Sequence, residues 1–507
     1  MPNAALATSD LPTPEQRQSV RQTLKSPRLL RIEVLGGLVV ALALIPEAIA
    51  FSIIAGVDPR LGLFASFTMA ISIAFLGGRP AMISAATAAT ALVIAPLVAS
   101  HGVDYLIATV ILAGIFQVGL GLIGIAKLMR FIPRSVMIGF VNALAILIFM
   151  AQLPELLGVP WLVYPLAALG LAIIFGLPRL TQAVPSPLVA IVVVTVIAVA
   201  FSIAVPTVGD KGELPDSLPK LLIPDVPWTL ETLKVIAPYA LAMALVGLIE
   251  SLMTAKLVDD ITDTRSNKVR ESWGQGAANI ITGFFGGMGG CAMIGQTMIN
   301  VKASGARTRI STFMAGVFLL ILTVSLGDIV ALIPMAGLVA VMIFVSIATF
   351  DWHSIRVSTL RMMPKSETTV MLVTVVVTVW THNLAIGVVA GVLAAMIAFA
   401  RRVAHFVTVE RRIVEHFDTE IAHYEVNGEL FFASSNDLYT QFNYAEDPEH
   451  VVINMDNSHL WDASTIAVLD SVTEKYEKYG KRVEIVGLNA ASLRMHERMG
   501  GKLGGGH

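Results

Sequence analysis

Apolar runs set off by Gly, Pro or charge recur through the first four hundred residues of this 507-residue chain. About 20 apolar residues are what a helix needs to cross the roughly 30 Å hydrocarbon core of a bilayer, where every backbone N–H and C=O must be satisfied internally. Candidate spans fall at 32–54, 60–76, 82–99, 105–125, 135–152, 161–177 and 185–205. A second set follows a polar, Pro-rich loop, at 235–256, 273–286, 292–302, 310–326, 329–349, 366–381 and 384–400. The pattern predicts an α-helical membrane protein of fourteen segments. Three of them, 82–99, 273–286 and 292–302, would be poor spans as ordinary straight helices.

Composition agrees and excludes other classes. At 55% hydrophobic and 14% charged the chain is too apolar for a soluble globule, and a net charge of −2 argues against nucleic acid as a partner. The single Cys291 rules out an internal disulfide and a Cys-cluster metal site. Residues 1–31 are polar and basic with no signal-cleavage pattern, and read as a cytoplasmic tail. Lys and Arg test the span count independently, because they concentrate in cytoplasmic loops. Starting inside, those loops hold Arg17 to Arg31, Arg79, Lys127, Arg130 and Arg134, Arg179, Lys256 to Arg270, Lys302 to Arg309, Arg356 to Lys365, and Arg401 and Arg402. The outer loops hold only Arg60, Lys211, Lys220 and Lys234.

Seven spans per half place two homologous halves upside down relative to one another, the inverted repeat of many secondary transporters. The repeats are expected at 32–205 and 235–402 of a transport domain at 32–402. Internal similarity supports this: "ALALIPEAIA" (41–50) sets Glu47 against Glu250 of "ALVGLIESLM" (244–253). "AMIS" (81–84) matches "AMIG" (292–295), and "IPRSVMIGFV" (132–141) echoes "IPMAGLVAVMIFV" (333–345). The Gly-rich words "GGRPAMISAATA" and "GGMGGCAMIGQTMIN" break the third segment of each half. Unwound backbone is tolerated at membrane depth only where it lines a cavity or is buried in protein. Half-helices starting near Ser84 and Ile294 would bring two N-termini face to face, with free N–H donors and partial positive charge suited to an anion.

The chain resembles the SulP/SLC26 family of anion transporters. The resemblance is carried by "LGGLVVALALIPEAIAFSIIAGVDPRLGLFASF", by "GARTRIS" (305–311) and by a C-terminal region similar to a STAS domain. It implies fourteen segments arranged as core and gate domains, with substrate between the third and tenth, working as a homodimer. It implies substrate contacts at Phe51, Ser84, Ala85, Ala86, Thr87, Ala292, Met293, Ile294 and Gln296, with Glu47 beside them. Many members carry an arginine where this chain has Gln296, which sets simple chloride exchange in doubt, and an uncharged Gln where it has Glu47.

A carboxylate at mid-bilayer costs on the order of 3 kcal/mol, so one is retained only with a partner or a task. Glu47 is the candidate proton-coupling residue, and Glu250 with Thr254 the candidate cation site. Gln117, Asn142 and Gln152 read as interhelical hydrogen-bond glue.

After Arg402, strands in "EIAHYEVNGELFFAS", "HVVINMDNS" and "RVEIVGL" alternate with helices, a small α/β domain at 408–500. Asp462 caps a helix beginning near Ser464, and Ser464 occupies the place of the phosphorylatable residue of STAS relatives. No catalytic triad, nucleotide motif, cofactor motif or metal-ligand spacing is visible. What the resemblance implies, with Glu47 as a titratable group, is proton-coupled symport of a small anion (dicarboxylate, sulfate or bicarbonate) in the cell inner membrane, the N-terminus and STAS domain being cytoplasmic. The alternatives are sodium-coupled symport or exchange by the same machine and, from another class, a membrane sensor or scaffold with STAS output.

Overall fold

The computed structural model describes residues 19–127, 132–180, 185–404, 407–416 and 419–499. Arg17, Arg130, most of the N-terminal tail and the last residue of the expected STAS range lie outside the described residues. The chain divides near residue 392 into two compact units.

In the first unit, a short helix α1 (Val20–Lys25) precedes α2 (Pro27–Ala55), α3 (Pro59–Leu76), a two-residue strand β1 (Ser84–Ala85) and α4 (Ala88–His101). Then come α5 (Val103–Ile123), α6 (Arg134–Gln152), α7 (Val163–Gly176) and α8 (Ser186–Ala200). The second half runs α9 (Leu230–Thr262), α10 (Lys268–Phe284), β2 (Cys291–Ala292), α11 (Ile294–Met298) continued by a π-turn at Ile299–Ala303, and α12 (Arg309–Ser325). It ends with α13 (Gly327–Ala331), α14 (Met335–Thr349), α15 (Val357–Met362), α16 (Lys365–Thr381) and the first part of α17 (Leu384–Ala404), which runs past the division near residue 392. Among the described residues, six helices of at least 18 residues are apolar enough to cross a membrane, and five shorter apolar helices accompany them. The expected segments fall on these helices, on α10 and α16, or on a broken strand-helix unit.

Two helix groups form. The first four segments of each half pack together, with α10 against α5 and α3, α12 against α2 and α3, and α9 against α4 and α5. The last three of each half form the other group, where α6 packs on α14 and α16, and α7 on α8 and α14. Two devices fix the first group from inside. The buried Glu33 carboxyl on α2 accepts the backbone N–H groups of Arg307 (2.7 Å), Thr308 (3.0 Å) and Ser311 (3.1 Å), satisfying the free donors at the N-terminus of α12. Arg309 donates to the carbonyls of Ala74 (3.0 Å) and Gly77 (2.6 Å), satisfying the C-terminus of α3. The "GARTRIS" word is thus a brace between helices.

The linker between repeats spans the opposite end. Its backbone pairs with the α13–α14 turn (Val208 N–H to Ile333 O, 2.9 Å) and with the end of α10 (Leu222 N–H to Phe284 O, 2.7 Å). Lys211 meets Glu155 at 2.7 Å. The Thr207 N–H and hydroxyl donate to Asp210 and hold its carboxyl below the usual range.

Three sequence expectations need correction here. The segment at 273–286 is continuous helix as far as Phe284; its weak hydropathy comes from a buried polar stripe, not from a break. The first half-helix starts at Ala88, four residues after Ser84, because Ser84 and Ala85 are extended and the Thr87 hydroxyl caps the helix by accepting the Thr90 N–H. The match of "AMIS" with "AMIG" is also out of register: the first precedes and ends in β1, whereas the second starts in β2 and ends in helix. Short apolar words repeat by chance. By contrast α6 and α14 both begin directly after an Ile-Pro pair, as the third match implies.

The second unit is α/β. Strands β3 (Thr408–His416), β4 (Thr419–Leu430), β5 (His450–Asn454) and β7 (Arg482–Val486) lie in the order β3-β4-β5-β7, with β6 (Ser458–Leu460) pairing β4. Helices α18 (Phe432–Thr440), α19 (Ala463–Lys478) and α20 (Ala490–Met499) complete it. β3 is absent from the sequence expectation, because its charged, exposed positions mask the alternation of an edge strand. "FFAS" opens α18 and does not extend β4. In the core, Asp447 (5% exposed) accepts from the Tyr424 hydroxyl (2.7 Å), the Tyr476 hydroxyl (2.5 Å) and Arg411 Nε (2.7 Å). Burial, more than any partner, pushes both phenols above their ordinary pKa. Asp447→Ala strands three donors, so the C-terminal domain is expected to lose about 3–5 kcal/mol. Urea unfolding of that domain in both forms measures the loss.

Candidate functional site

The two broken segments meet as an antiparallel pair. Ser84 pairs with Ala292 and Ala85 with Cys291, one strand from each repeat. The Ala292 N–H donates to Ser251 Oγ (3.1 Å) and the Met293 N–H to Ile83 O (2.9 Å), which ties the second segment to α9 and to the first. Gly289, at φ +74°, makes the turn into β2, a conformation that residues with a Cβ adopt rarely. From this crossing the chains diverge into α4, capped by Thr87, and α11, which starts at Ile294 after Met293, with no side-chain cap.

A cavity of about 720 Å³ lies in front of the crossing. Glu47 and Phe51 of α2, Thr87 to Ala89 at the start of α4, Glu250 of α9, and Met293 to Gln296 at the start of α11 line it from the first helix group. Phe140, Leu144 and Ile148 of α6, and Phe344, Ala348 and Thr349 of α14, face them from the second. The cavity follows α2 from Phe51 back to Val39, toward the end of the bundle where α2 begins, past Ser186 and Ser304.

Its polar groups are few and linked. Gln296 Nε2 donates to Glu47 Oε2, joining α11 to α2. Cys291 Sγ donates to Glu250 Oε2 (2.9 Å) and lies 3.3 Å from Thr87 Oγ1, so carboxyl, thiol and hydroxyl connect the repeats behind the wall. Two carboxyls and two half-helix N-termini therefore meet in an otherwise mostly apolar lining.

Of the expected substrate contacts, Phe51, Thr87, Met293, Ile294 and Gln296 line the cavity, with Glu47 and Glu250. Ser84, Ala85, Ala86 and Ala292 do not. They are buried in and beside the strand pair, and Ser84 Oγ accepts from Gln275 Nε2 at 2.7 Å. Thr254 is also outside the lining; its hydroxyl donates to the Glu250 carbonyl one turn back (2.8 Å), not to the carboxylate. Gln117 joins Asn279 between helices (2.8 Å), whereas Asn142 ties α6 to Ser354 in the turn after α14 (2.9 Å) and Gln152 turns back on its own helix. Sequence reasoning missed the wall formed by α6 and α14. Apolar residues facing a cavity and apolar residues facing lipid look alike in a hydropathy profile.

In the C-terminal domain, Asp462 caps α19 by accepting the Thr465 N–H (3.1 Å). The helix begins at Ala463, and Ser464 is exposed in its first turn.

Comparison with known proteins bears on this geometry. Residues 30–165 and 159–374 match the sulfate permease family, and residues 412–502 the STAS domain. A candidate sulfate transporter of Bacillus subtilis (strain 168), YbaR, is 55% identical over 471 residues, 93% of this chain and 97% of that protein. The transmembrane domain of a cyanobacterial bicarbonate transporter, BicA, superposes with a TM-score of 0.64 at 26% identity over 71% of this chain and 98% of its own. The murine anion transporter Slc26a9, in an inward-facing state, shares the fold with a TM-score of 0.79 at 17% identity, over 94% of this chain and 88% of its own.

Proposed function

The chain belongs to the sulfate permease family, and we propose that it is a secondary active transporter that carries a small anion by alternating access, coupled to protons. The observation that carries this reading is the cavity in front of the β1–β2 crossing, where half-helix N-termini from both repeats and the Glu47 carboxyl share one wall. The anion sits at the Thr87 and Ile294–Gln296 ends, where backbone dipoles offer positive potential without a bound cation. Phe51 closes the site on the side away from Val39. Glu47 carries the proton, and Gln296 orients its carboxyl.

Sulfate and bicarbonate are the first anions to test, given the descriptions of YbaR and BicA, with dicarboxylates next. Sodium coupling at Glu250 is the second reading. The Glu250 carboxyl favours it because it reaches the cavity wall, but the Thr254 hydroxyl is committed elsewhere. The machine works in the cell inner membrane as a homodimer, its N-terminus and STAS domain cytoplasmic, and exposed Ser464 is available for regulatory phosphorylation. The transport cycle makes and breaks no covalent bond, so no enzymatic step is assigned.

Uptake of labelled sulfate, bicarbonate, chloride and a dicarboxylate into proteoliposomes, under imposed inward H⁺ or Na⁺ gradients, tests the proposal. Accumulation of one anion under the proton gradient is expected. Accumulation only under sodium selects the second reading, and uptake of none of them supports the sensor class.

A further inference from the structure

Helix α10 contributes nothing to the cavity wall, yet it carries a long buried polar stripe. Glu271, Gln275 and Asn279 follow at intervals of four, with Thr282 behind them, and all four are fully buried. Glu271 Oε2 accepts the N–H groups of Gly78 (2.7 Å) and Arg79 (2.9 Å), where the chain of the first repeat leaves α3. One turn on, Gln275 Nε2 donates to Ser84 Oγ in β1 (2.7 Å) and to Glu271 Oε1 (2.8 Å). At the next turn Asn279 holds the other repeat. Its Oδ1 accepts the Gly290 N–H (2.9 Å) and its Nδ2 donates to the Gly290 carbonyl (3.0 Å), the two bonds that a neighbouring strand would make. Asn279 Nδ2 also donates to Gln117 Oε1 (2.8 Å) on α5.

The stripe cannot drift, because α10 and α5 touch backbone to backbone. A Cβ at Gly276 would lie 2.5 Å from the Gly114 carbonyl, and one at Gly114 2.6 Å from the Gly276 carbonyl.

We propose that Gln275 and Asn279 are positioning residues, which set the separation of the two half-helix N-termini by gripping β1 and the residue that leads into β2 from one rigid helix. This rests on the transporter reading for its consequence, anion affinity, but not for its geometry. The segments before Thr87 and Met293 owe their placement to side chains that never meet the substrate. Loss of either grip lets one N-terminus move relative to the other, and misplacement of about 1 Å in a preorganised site costs up to roughly a hundredfold.

The test uses the full chain in proteoliposomes, with labelled sulfate and, separately, labelled bicarbonate as probes. Asn279→Leu and the milder Gln275→Met are expected to raise the half-saturating anion concentration about tenfold, with maximal rate per folded protein changed less than about threefold. Gln275→Met and Ser84→Ala are expected to be non-additive, since they cut the same bond. Thr282→Val, which loses only a bond to Thr68 on α3, is the control and should match wild type. Backbone amide exchange in detergent should rise at residues 290–292 in Asn279→Leu but not in Thr282→Val. A fall in maximal rate with half-saturation unchanged, or additive effects of Gln275→Met and Ser84→Ala, would overturn the proposal. If the wild type carries neither anion, the transport reading fails for these substrates, and amide exchange decides the positioning: unchanged exchange at 290–292 sinks it, and raised exchange sustains it.

Discussion

Glu47→Gln is expected to keep anion uptake and lose accumulation driven by an inward proton gradient. The substitution is nearly isosteric, and the new amide oxygen can still accept from Gln296 Nε2, so the link between α2 and α11 survives. What changes is the charge. An anion at the half-helix N-termini beside an ionised Glu47 meets like-charge repulsion, which protonation removes. Proton and anion therefore bind with positive coupling, typically about 1–3 kcal/mol between linked sites. With one proton per monovalent anion and no membrane potential, a one-unit pH gradient supplies about 1.4 kcal/mol, enough for roughly tenfold accumulation by the wild type. Glu47→Gln, fixed in the neutral form, should equilibrate the anion at a ratio near unity and show little dependence of half-saturation on pH. Liposome uptake with and without the gradient separates the two. Tenfold accumulation by the variant would move the coupling role to Glu250, the other carboxyl on the cavity wall.

Gly290→Ala should abolish transport by a different route, through the strand crossing. A Cβ there would sit 2.0 Å from the Ala85 carbonyl oxygen and 2.5 Å from its carbon. Both are backbone atoms of a strand held by the Cys291 and Ala292 pairings, so no side-chain rotation relieves the contact. The strands must part, breaking the bonds between Asn279 and Gly290 and carrying Thr87 with them. Overpacking usually costs about 1–3 kcal/mol, and a backbone clash belongs at or above the top of that range. Gly295→Ala, five residues away, offers the contrast: a Cβ there meets nothing within 4 Å, and the position lines the cavity. It should fold like wild type and change only affinity. Thermal unfolding of the purified variants, followed by uptake, tests both. Wild-type stability in Gly290→Ala would mean that the crossing is not the rigid centre of the site.

The sequence by itself determined the membrane class, the helical transmembrane region and the C-terminal STAS domain, because hydropathy, Lys and Arg placement, and strand alternation are local properties of a chain. The α/β character of the C-terminal domain was legible for the same reason: Ala422, Tyr424 and Val426 alternate inward along β4. Tertiary structure alone decided where the breaks sit. Ser84 reads as a helix start, but pairing with Ala292, about two hundred residues away, holds it extended and turns its hydroxyl to Gln275. The Glu271–Gln275–Asn279 stripe stands in plain view in the sequence, yet nothing local tells whether it faces water, substrate or backbone. Thr254 and the cavity faces of α6 and α14 were ambiguous in the same way. Hydrogen-bond partners in a buried site are set by which surfaces meet, and that depends on the packing of all the helices together, a property that no single stretch of sequence carries.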